Sequence, residues 1–410
     1  MISWATTLTA GDRRRLLVRT IPAAMATIVR NDREDTMTVE MAKPGLEGVV
    51  AGTTEICCVD QGKLLYRGYP IAELAERVAF SEVAHLLIYG ELPNHTQLES
   101  FRRMLHGFHG LPKQVIDAIR LIPSNVPMMD VLRTGISMAG HFDPVAGNDI
   151  EALRRRAVRL IAVTADLVAT RFRLLNGKEP IPPKAGLRHA AQILYMCHGA
   201  EPDETAARLL DLTLILYAEH EFNASTFTAR VIASTMSDMV SAVTGAIGAL
   251  KGPLHGGANE KAMELILRFK SADEAGRWVR DAIARKEKVM GFGHRVYKHG
   301  DHRAHILERE MRKLAEIKGR QDLVAIYDAI KNPIVNKDKP IHPNVDYPCG
   351  LTYYLMDLPL DLYTPLFVCA RITGWCAHII EQQQDNRIYR PLSQYTGRAL
   401  RSVPPMDQRP

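Results

Sequence analysis

Between residues 70 and 219 apolar side chains recur at i, i+3 and i+4 with few interruptions, over 70–78, 81–90, 97–108, 127–139, 149–176, 186–197 and 203–219. That spacing gathers them on one face of an α-helix; a strand face would need a period of two. The exception comes earlier. From Ile56 to Arg67 two short apolar segments flank Asp60-Gln61-Gly62-Lys63, whose residues tolerate positive φ, and a small β-hairpin is expected. Gly177-Lys178-Glu179-Pro180 and Ile181-Pro182-Pro183 punctuate the helical run as turns. The expected fold is therefore mainly α with one N-terminal hairpin. Over 237–251, Ser241, Gly245 and Ala249 put small side chains on one helical stripe. Another backbone can approach closely there, and an internal contact and a subunit interface both fit.

A chain of 410 residues, 46% hydrophobic and 24% charged, is long enough for more than one folding unit. No apolar run reaches the roughly 18 to 20 residues a membrane crossing needs, and no secretory signal opens the chain. A cytoplasmic protein is expected, with no membrane partner. The six cysteines lack metal-ligand or disulfide-framework spacing and read as reduced. The net charge of +6 is concentrated at the start, where residues 1–30 hold five arginines against Asp12 alone. The remainder is nearly balanced, which argues against a nucleic-acid surface. The opening reads as a disordered tail over 1–36, or as a start placed too far upstream, ahead of a domain that begins near Met37 or Met41; a transit peptide is the third reading.

Four segments concentrate histidine, arginine and glycine beyond what a packed core requires: 220–225 (His-Glu-Phe-Asn-Ala-Ser), 252–260 (Gly-Pro-Leu-His-Gly-Gly-Ala-Asn-Glu), 291–298 (Gly-Phe-Gly-His-Arg-Val-Tyr-Lys) and 343–346 (Pro-Asn-Val-Asp). A zinc-protease helix is excluded, because the second histidine it needs falls on Ala224. A dinucleotide loop at Gly291-Phe292-Gly293 lacks its third glycine and its βαβ unit. His294, His299, His302 and His305 could be drawn as a metal site, but Arg295, Lys298 and Arg303 interleave them and repel a divalent ion. No metal is expected.

An anion site with acid and base groups fits better. His255 lies between Gly-Pro and Gly-Gly, at a turn entering a helix, where the positive end of the helix dipole favours a neutral imidazole that can donate a hydrogen bond. Such a ring can stabilise an enol; it can also simply cap or pack. Asp346 stands at a loop or helix start, where a partly desolvated carboxylate can take a carbon-bound proton. Taken alone it reads more often as a helix cap. Arg303, Arg371 and Arg390 are candidate partners for carboxylates, which a guanidinium fork binds bidentately.

Taken together and in this order, the four segments, with Ala-Arg-Ile-Thr-Gly-Trp at 370–375, resemble those of the citrate synthase family, from Lys43-Pro44-Gly45 to Tyr395-Thr396-Gly397. The resemblance implies a two-domain helical homodimer: a large domain over 37–256 and 358–410, and a small one over 257–357 that closes on oxaloacetate before acyl-CoA binds. It further implies His255, His294 and Asp346 as the catalytic trio and Ser225 as the residue orienting His255. His220, Arg303 and Arg371 would grip oxaloacetate, joined by Arg390 from the second subunit. Lys298 and Arg295 would face the CoA phosphates. No cofactor is implied, since acetyl-CoA is a substrate. Asp301-His302-Arg303 departs from the family's usual Asp-Pro-Arg or Asp-Ser-Arg, and His302 is expected to loosen that helix start. Citrate formation is the first reading and 2-methylcitrate formation from propionyl-CoA the second, prompted by 218–223 and 382–386. A non-catalytic acyl-CoA-binding homodimer is a more distant third and a metal-dependent hydrolase the most distant.

Overall fold

The computed structural model describes residues 42–60, 63–294, 296–297 and 300–409. The opening through residue 41, Gln61 and Gly62 of the hairpin turn, and the candidate CoA ligands Arg295 and Lys298 lie outside the described residues. The chain divides into two compact units, one of them Thr54–Tyr389, the other taking in the described residues 42–53 and 390–409. The smaller unit carries two 3-10 turns, Pro44–Leu46 and Met406–Gln408, on otherwise irregular and largely exposed backbone.

In the larger unit the hairpin is present, with β1 (Cys57–Asp60) antiparallel to β2 (Lys63–Tyr66) in the register Cys57↔Tyr66 to Asp60↔Lys63. A third strand of two residues, β3 (Tyr69–Pro70), completes the sheet. Sixteen α-helices follow among the described residues: α1 (Ile71–Arg77), α2 (Phe80–Tyr89), α3 (His95–Gly107), α4 (Lys113–Leu121), α5 (Met128–Gly140), α6 (Ile150–Leu175), α7 (His189–His198), α8 (Glu204–Tyr217), α9 (Ala224–Ser234), α10 (Met239–Leu250), α11 (Ala258–Leu267), α12 (Ala272–Ala284), α13 (His302–Ile317), α14 (Gln321–Val335), α15 (Asp346–Leu355) and α16 (Tyr363–Gln384). The mainly helical expectation holds.

Two long helices, α6 and α16, form the centre and pack on each other. Both are buried around nearly their whole circumference, so polar groups on them must find partners. On α6 they do so largely at the ends of other helices. Arg159 donates to the Ala139 carbonyl of α5 at 2.9 Å, and Arg171 to Ile122 O, just beyond α4, at 2.9 Å. Cations belong at these sites, because the last carbonyls of a helix lack intrahelical partners and carry the negative end of its dipole.

The small-residue stripe on α10 lies against α9: a Cβ built on Gly245 would come within 2.3 Å of Ile232 Cδ1. Close approach is thus used inside the subunit. No helix among the described residues is long and apolar enough to cross a membrane.

Candidate active site

Five chain segments supply the site, and local rules fix each one. The loop 218–223, between α8 and α9, carries His220. The hairpin holds this loop from below: the Tyr66 hydroxyl accepts the Glu219 N–H at 3.2 Å and lies 3.1 Å from the carbonyls of Ile215 and Glu219. Val59 N–H donates to Glu221 Oε1 at 2.7 Å. Glu221 adopts φ +50, which is costly for a side chain with a Cβ and persists where the surroundings over-determine it. Below the loop, Glu219 Oε1 accepts His378 Nε2–H at 2.9 Å, and His378 Nδ1 accepts from Arg230 at 2.8 Å. Arg230 also meets Glu381 at 2.6 Å.

His255 occupies the turn between α10 and α11. The turn requires Gly256, since a Cβ there would stand 2.2 Å from Leu250 O. His255 Nε2 accepts the backbone N–H of Ser225 at 3.1 Å. A main-chain N–H can only donate, so Nε2 carries no proton and the neutral ring holds its proton on Nδ1. The Ser225 hydroxyl lies 2.9 Å from the same Nε2 and 2.8 Å from Asn223 Oδ1, and it accepts Trp375 Nε1–H at 3.1 Å. Burial, and then the Arg371 charge, push the His255 pKa down to about 4. The sequence reading is sharpened at this turn. The helix start facing the ring is that of α9, whose second residue is Ser225, in addition to α11 which His255 precedes.

His294 and Asp346 are brought together by a short antiparallel bridge, Phe292↔Pro343, with Gly293 N–H donating to His342 O at 2.8 Å and Asn344 N–H to Gly291 O at 3.0 Å. His294 Nδ1 accepts the backbone N–H groups of Val296 (3.0 Å) and Tyr297 (3.3 Å). A neutral His294 therefore carries its proton on Nε2. Its ring centroid lies 4.9 Å from that of His220 and 4.5 Å from Tyr297. His220, buried, shares a 3.1 Å hydrogen bond between Nε2 and the Tyr297 hydroxyl. Its pKa is lowered well below the usual range, by burial first and then by Arg303, His294 and Arg371.

Asp346 is the first residue of α15, and its own N–H donates to Asn344 Oδ1 at 3.1 Å. It does not cap the helix. Its Oδ1 instead accepts the Tyr217 hydroxyl at 2.7 Å. Burial raises its pKa, outweighing the lowering by Tyr217, Arg303 and Arg371.

The two arginines meet at the end of α8. Arg303 donates to Leu216 O at 3.3 Å and Arg371 Nε to Tyr217 O at 2.8 Å, so the negative pole of that helix faces both guanidinium groups. Arg303 also grips Asp301 through Nε (3.0 Å) and Nη2 (2.9 Å). Asp301 caps α13 through Arg303 N–H at 3.0 Å and accepts Val345 N–H at 3.0 Å. Burial would raise the Asp301 pKa, but Arg303 holds it below the usual value. With Asp301 as a capping side chain, α13 starts at His302 itself.

Arg371 differs. It is 3% exposed, it lies over the Phe367 ring at 4.6 Å, and among the described residues no carboxylate forms an ion pair with it. Taking a cation out of water costs several kcal/mol, of which a carbonyl and a ring face return only part. A buried guanidinium with spare donors is an anion site.

The structure thus gathers His220, Ser225, His255, His294, Arg303, Asp346 and Arg371 through one connected set of contacts. Arg390 belongs to the other compact unit, on an exposed segment. Tyr217, Tyr297, Asp301 and Trp375 are participants that sequence reasoning does not single out. Among the described residues, no three His, Cys, Asp or Glu side chains converge in a way that could hold a metal.

A carboxylate of raised pKa, a neutral imidazole donor at His255 and a buried guanidinium with no ion pair among the described residues can together enolise a carbonyl compound beside a bound anion. That is the chemistry of acyl-condensing enzymes, and the chain belongs to the citrate synthase family, matching "Citrate synthase, C-terminal domain" over residues 45–392. It is an acyltransferase-type enzyme of that family. The chain is 45% identical to citrate synthase of Mycolicibacterium smegmatis over 362 residues, covering 88% of this chain and 96% of that one. It is 44% identical to 2-methylcitrate synthase of Mycobacterium tuberculosis over 364 residues, covering 88% and 92%. Its fold superimposes with a TM-score of 0.85, at 31% identity and covering 90% and 100% of the two chains, on the citrate synthase of Thermoplasma acidophilum solved with carboxymethyl coenzyme A and oxaloacetate.

Proposed function

We propose that this enzyme condenses acetyl-CoA with oxaloacetate and hydrolyses the thioester, giving citrate and CoA. The observation that carries the reading is the convergence of a half-buried, pKa-raised Asp346 with the buried Arg371, which has no ion pair among the described residues, beside Arg303. Arg371, Arg303 and His220 hold the oxaloacetate carboxylates. Asp346 removes a methyl proton from acetyl-CoA while His255 Nδ1–H donates to the thioester oxygen, so an enol forms and no free enolate accumulates. A thioester α-proton is far too weakly acidic for a carboxylate acting alone at neutral pH, and the base and donor must act together in a site that excludes water. The enol carbon attacks the ketone carbon of oxaloacetate. His294 Nε2–H polarises that ketone and passes its proton to the new alkoxide, and water then cleaves the citryl thioester to release CoA.

Closure of the segment 257–357 supplies the exclusion of water. Lys298 and Arg295 face the CoA phosphates. The working unit is a cytoplasmic homodimer in which Arg390 reaches the second subunit's oxaloacetate. Mixed dimers of Arg390→Ala and Asp346→Asn chains test this: they regain part of the parental activity if Arg390 crosses the interface and none if it acts within its own subunit.

The similarity to 2-methylcitrate synthases favours a second reading, with propionyl-CoA as donor. One methylene is worth only about 1 to 3 kcal/mol in an apolar pocket. Comparing kcat/KM for acetyl-CoA and propionyl-CoA decides between them, and a preference for propionyl-CoA makes 2-methylcitrate formation the activity.

A further inference from the structure

Tyr217 touches both halves of the site with two different groups. It ends α8 and is fully buried, with its ring against Phe367 at a centroid distance of 4.6 Å. Its carbonyl receives Arg371 Nε–H, and its hydroxyl donates to Asp346 Oδ1. At 2.7 Å the second contact is a charge-assisted hydrogen bond, roughly twice as strong as a neutral one.

The other groups facing the carboxylate do not set its orientation in the same way. From the start of α13 come Arg303 and Asp301, an ion pair whose charges largely cancel at Asp346. From α16 comes Arg371, which acts through space. On α15 itself Cys349 lies against the Tyr217 hydroxyl. Tyr217 is the only side chain among the described residues that hydrogen-bonds the carboxylate. Burial and the neighbouring Asp346 charge hold the phenol's own pKa well above the usual value, so it stays a donor.

We propose that Tyr217 is a positioning residue for the base: it occupies Oδ1, fixes the carboxylate plane, and leaves Oδ2 as the oxygen that takes the carbon-bound proton. The inference rests on the condensation reading above. When Oδ2 takes the proton, the electron pair of the C–H bond moves into the enol and the charge on Oδ1 falls. The Tyr217 hydrogen bond then weakens, and it strengthens again as the proton leaves. The phenol therefore favours the charged form of the base and opposes the effect of burial.

The test is the pH profile of kcat/KM for the acyl-CoA, measured for wild type, Tyr217→Phe and Asp346→Asn in the full-length enzyme. Tyr217→Phe keeps the ring on Phe367 and the carbonyl on Arg371, so KM for oxaloacetate stays within about twofold. Loss of a charge-assisted hydrogen bond moves the acid limb upward by about one pH unit. A limb displaced by less than about 0.3 unit overturns the proposal, whatever happens to the plateau. If the phenylalanine variant does not fold, 3-fluorotyrosine incorporated at position 217 makes the phenol a stronger donor and moves the limb downward; an unmoved limb again overturns the proposal. Asp346→Asn separates the two levels. If it condenses within about threefold of wild type, Asp346 is not the base and the function proposed above falls first. If it is inactive while the Tyr217 variants keep the wild-type limb, only the positioning role is lost.

Discussion

The loop carrying His220 and the turn carrying His255 are built in opposite ways. The loop 218–223 is pinned from the hairpin, from α16 and by Asn223, and its His220 ring is buried. The turn around His255 is exposed at the adjoining Leu254 (99%), while the half-buried His255 ring is held through Ser225, by its backbone N–H and its hydroxyl. Pinning is needed where cationic and polar groups are withdrawn from water, because a misplaced buried charge costs several kcal/mol. The turn holds a neutral donor, which carries no charge to be compensated. On the function proposed above, the deep side fixes the anion and the rim meets the thioester.

The sharpest way to break this comparison is at the base between the two sides. Asp346→Asn is expected to lower kcat about 10³- to 10⁴-fold with substrate affinities little changed, as measured by steady-state CoA release and oxaloacetate titration. On the deep side, Arg371→Gln is expected to lower kcat/KM for oxaloacetate about 10²- to 10³-fold, mostly through KM, in line with the 2–5 kcal/mol lost when a buried charge contact is truncated. A loss in the acyl-CoA KM instead would move Arg371 to the rim. On the rim, Ser225→Ala is expected to cost only about tenfold in kcat/KM for acyl-CoA, since the backbone N–H still holds His255 Nε2 and the ring itself loses only its contact with the hydroxyl.

The smallest effect is on stability. His255 has a folded pKa of about 4 against an ordinary value of 6.5, so the unfolded chain binds more protons between those pH values. This contribution is fully present above pH 6.5 and is lost as pH falls toward 4. His255→Asn should flatten the decline of Tm across that window in thermal melts, and an unchanged slope would show that the turn does not shield the ring.

Much of this architecture is legible in the sequence, for reasons visible in particular elements. Helices α1 to α3 and α5 to α8 repeat apolar residues at helical spacing over whole turns, and periodicity finds them to within a few residues. The nine-residue α4, which buries Val115 and Ile119, is the one early helix that the reading of periodicity passes over. β3 has two residues and no pattern to read. For the site, histidines between glycines point to the right turns. Tyr217 is invisible because a tyrosine in the apolar run that ends α8 reads as core, and its hydroxyl finds Asp346 only through a contact 129 residues away in the chain. Asp301 is in view within Asp-His-Arg, but its double duty to Arg303 and Val345 depends on where α15 begins.

The two ring-nitrogen assignments have a consequence for how this enzyme can change over time. His255 and His294 each present their unprotonated nitrogen to main-chain N–H groups, of Ser225 in one case and of Val296 and Tyr297 in the other. Every amino acid but proline supplies that N–H. The direction in which each imidazole offers its proton is thus written into the path of the backbone, and the side chains around it can drift through many substitutions without reversing it.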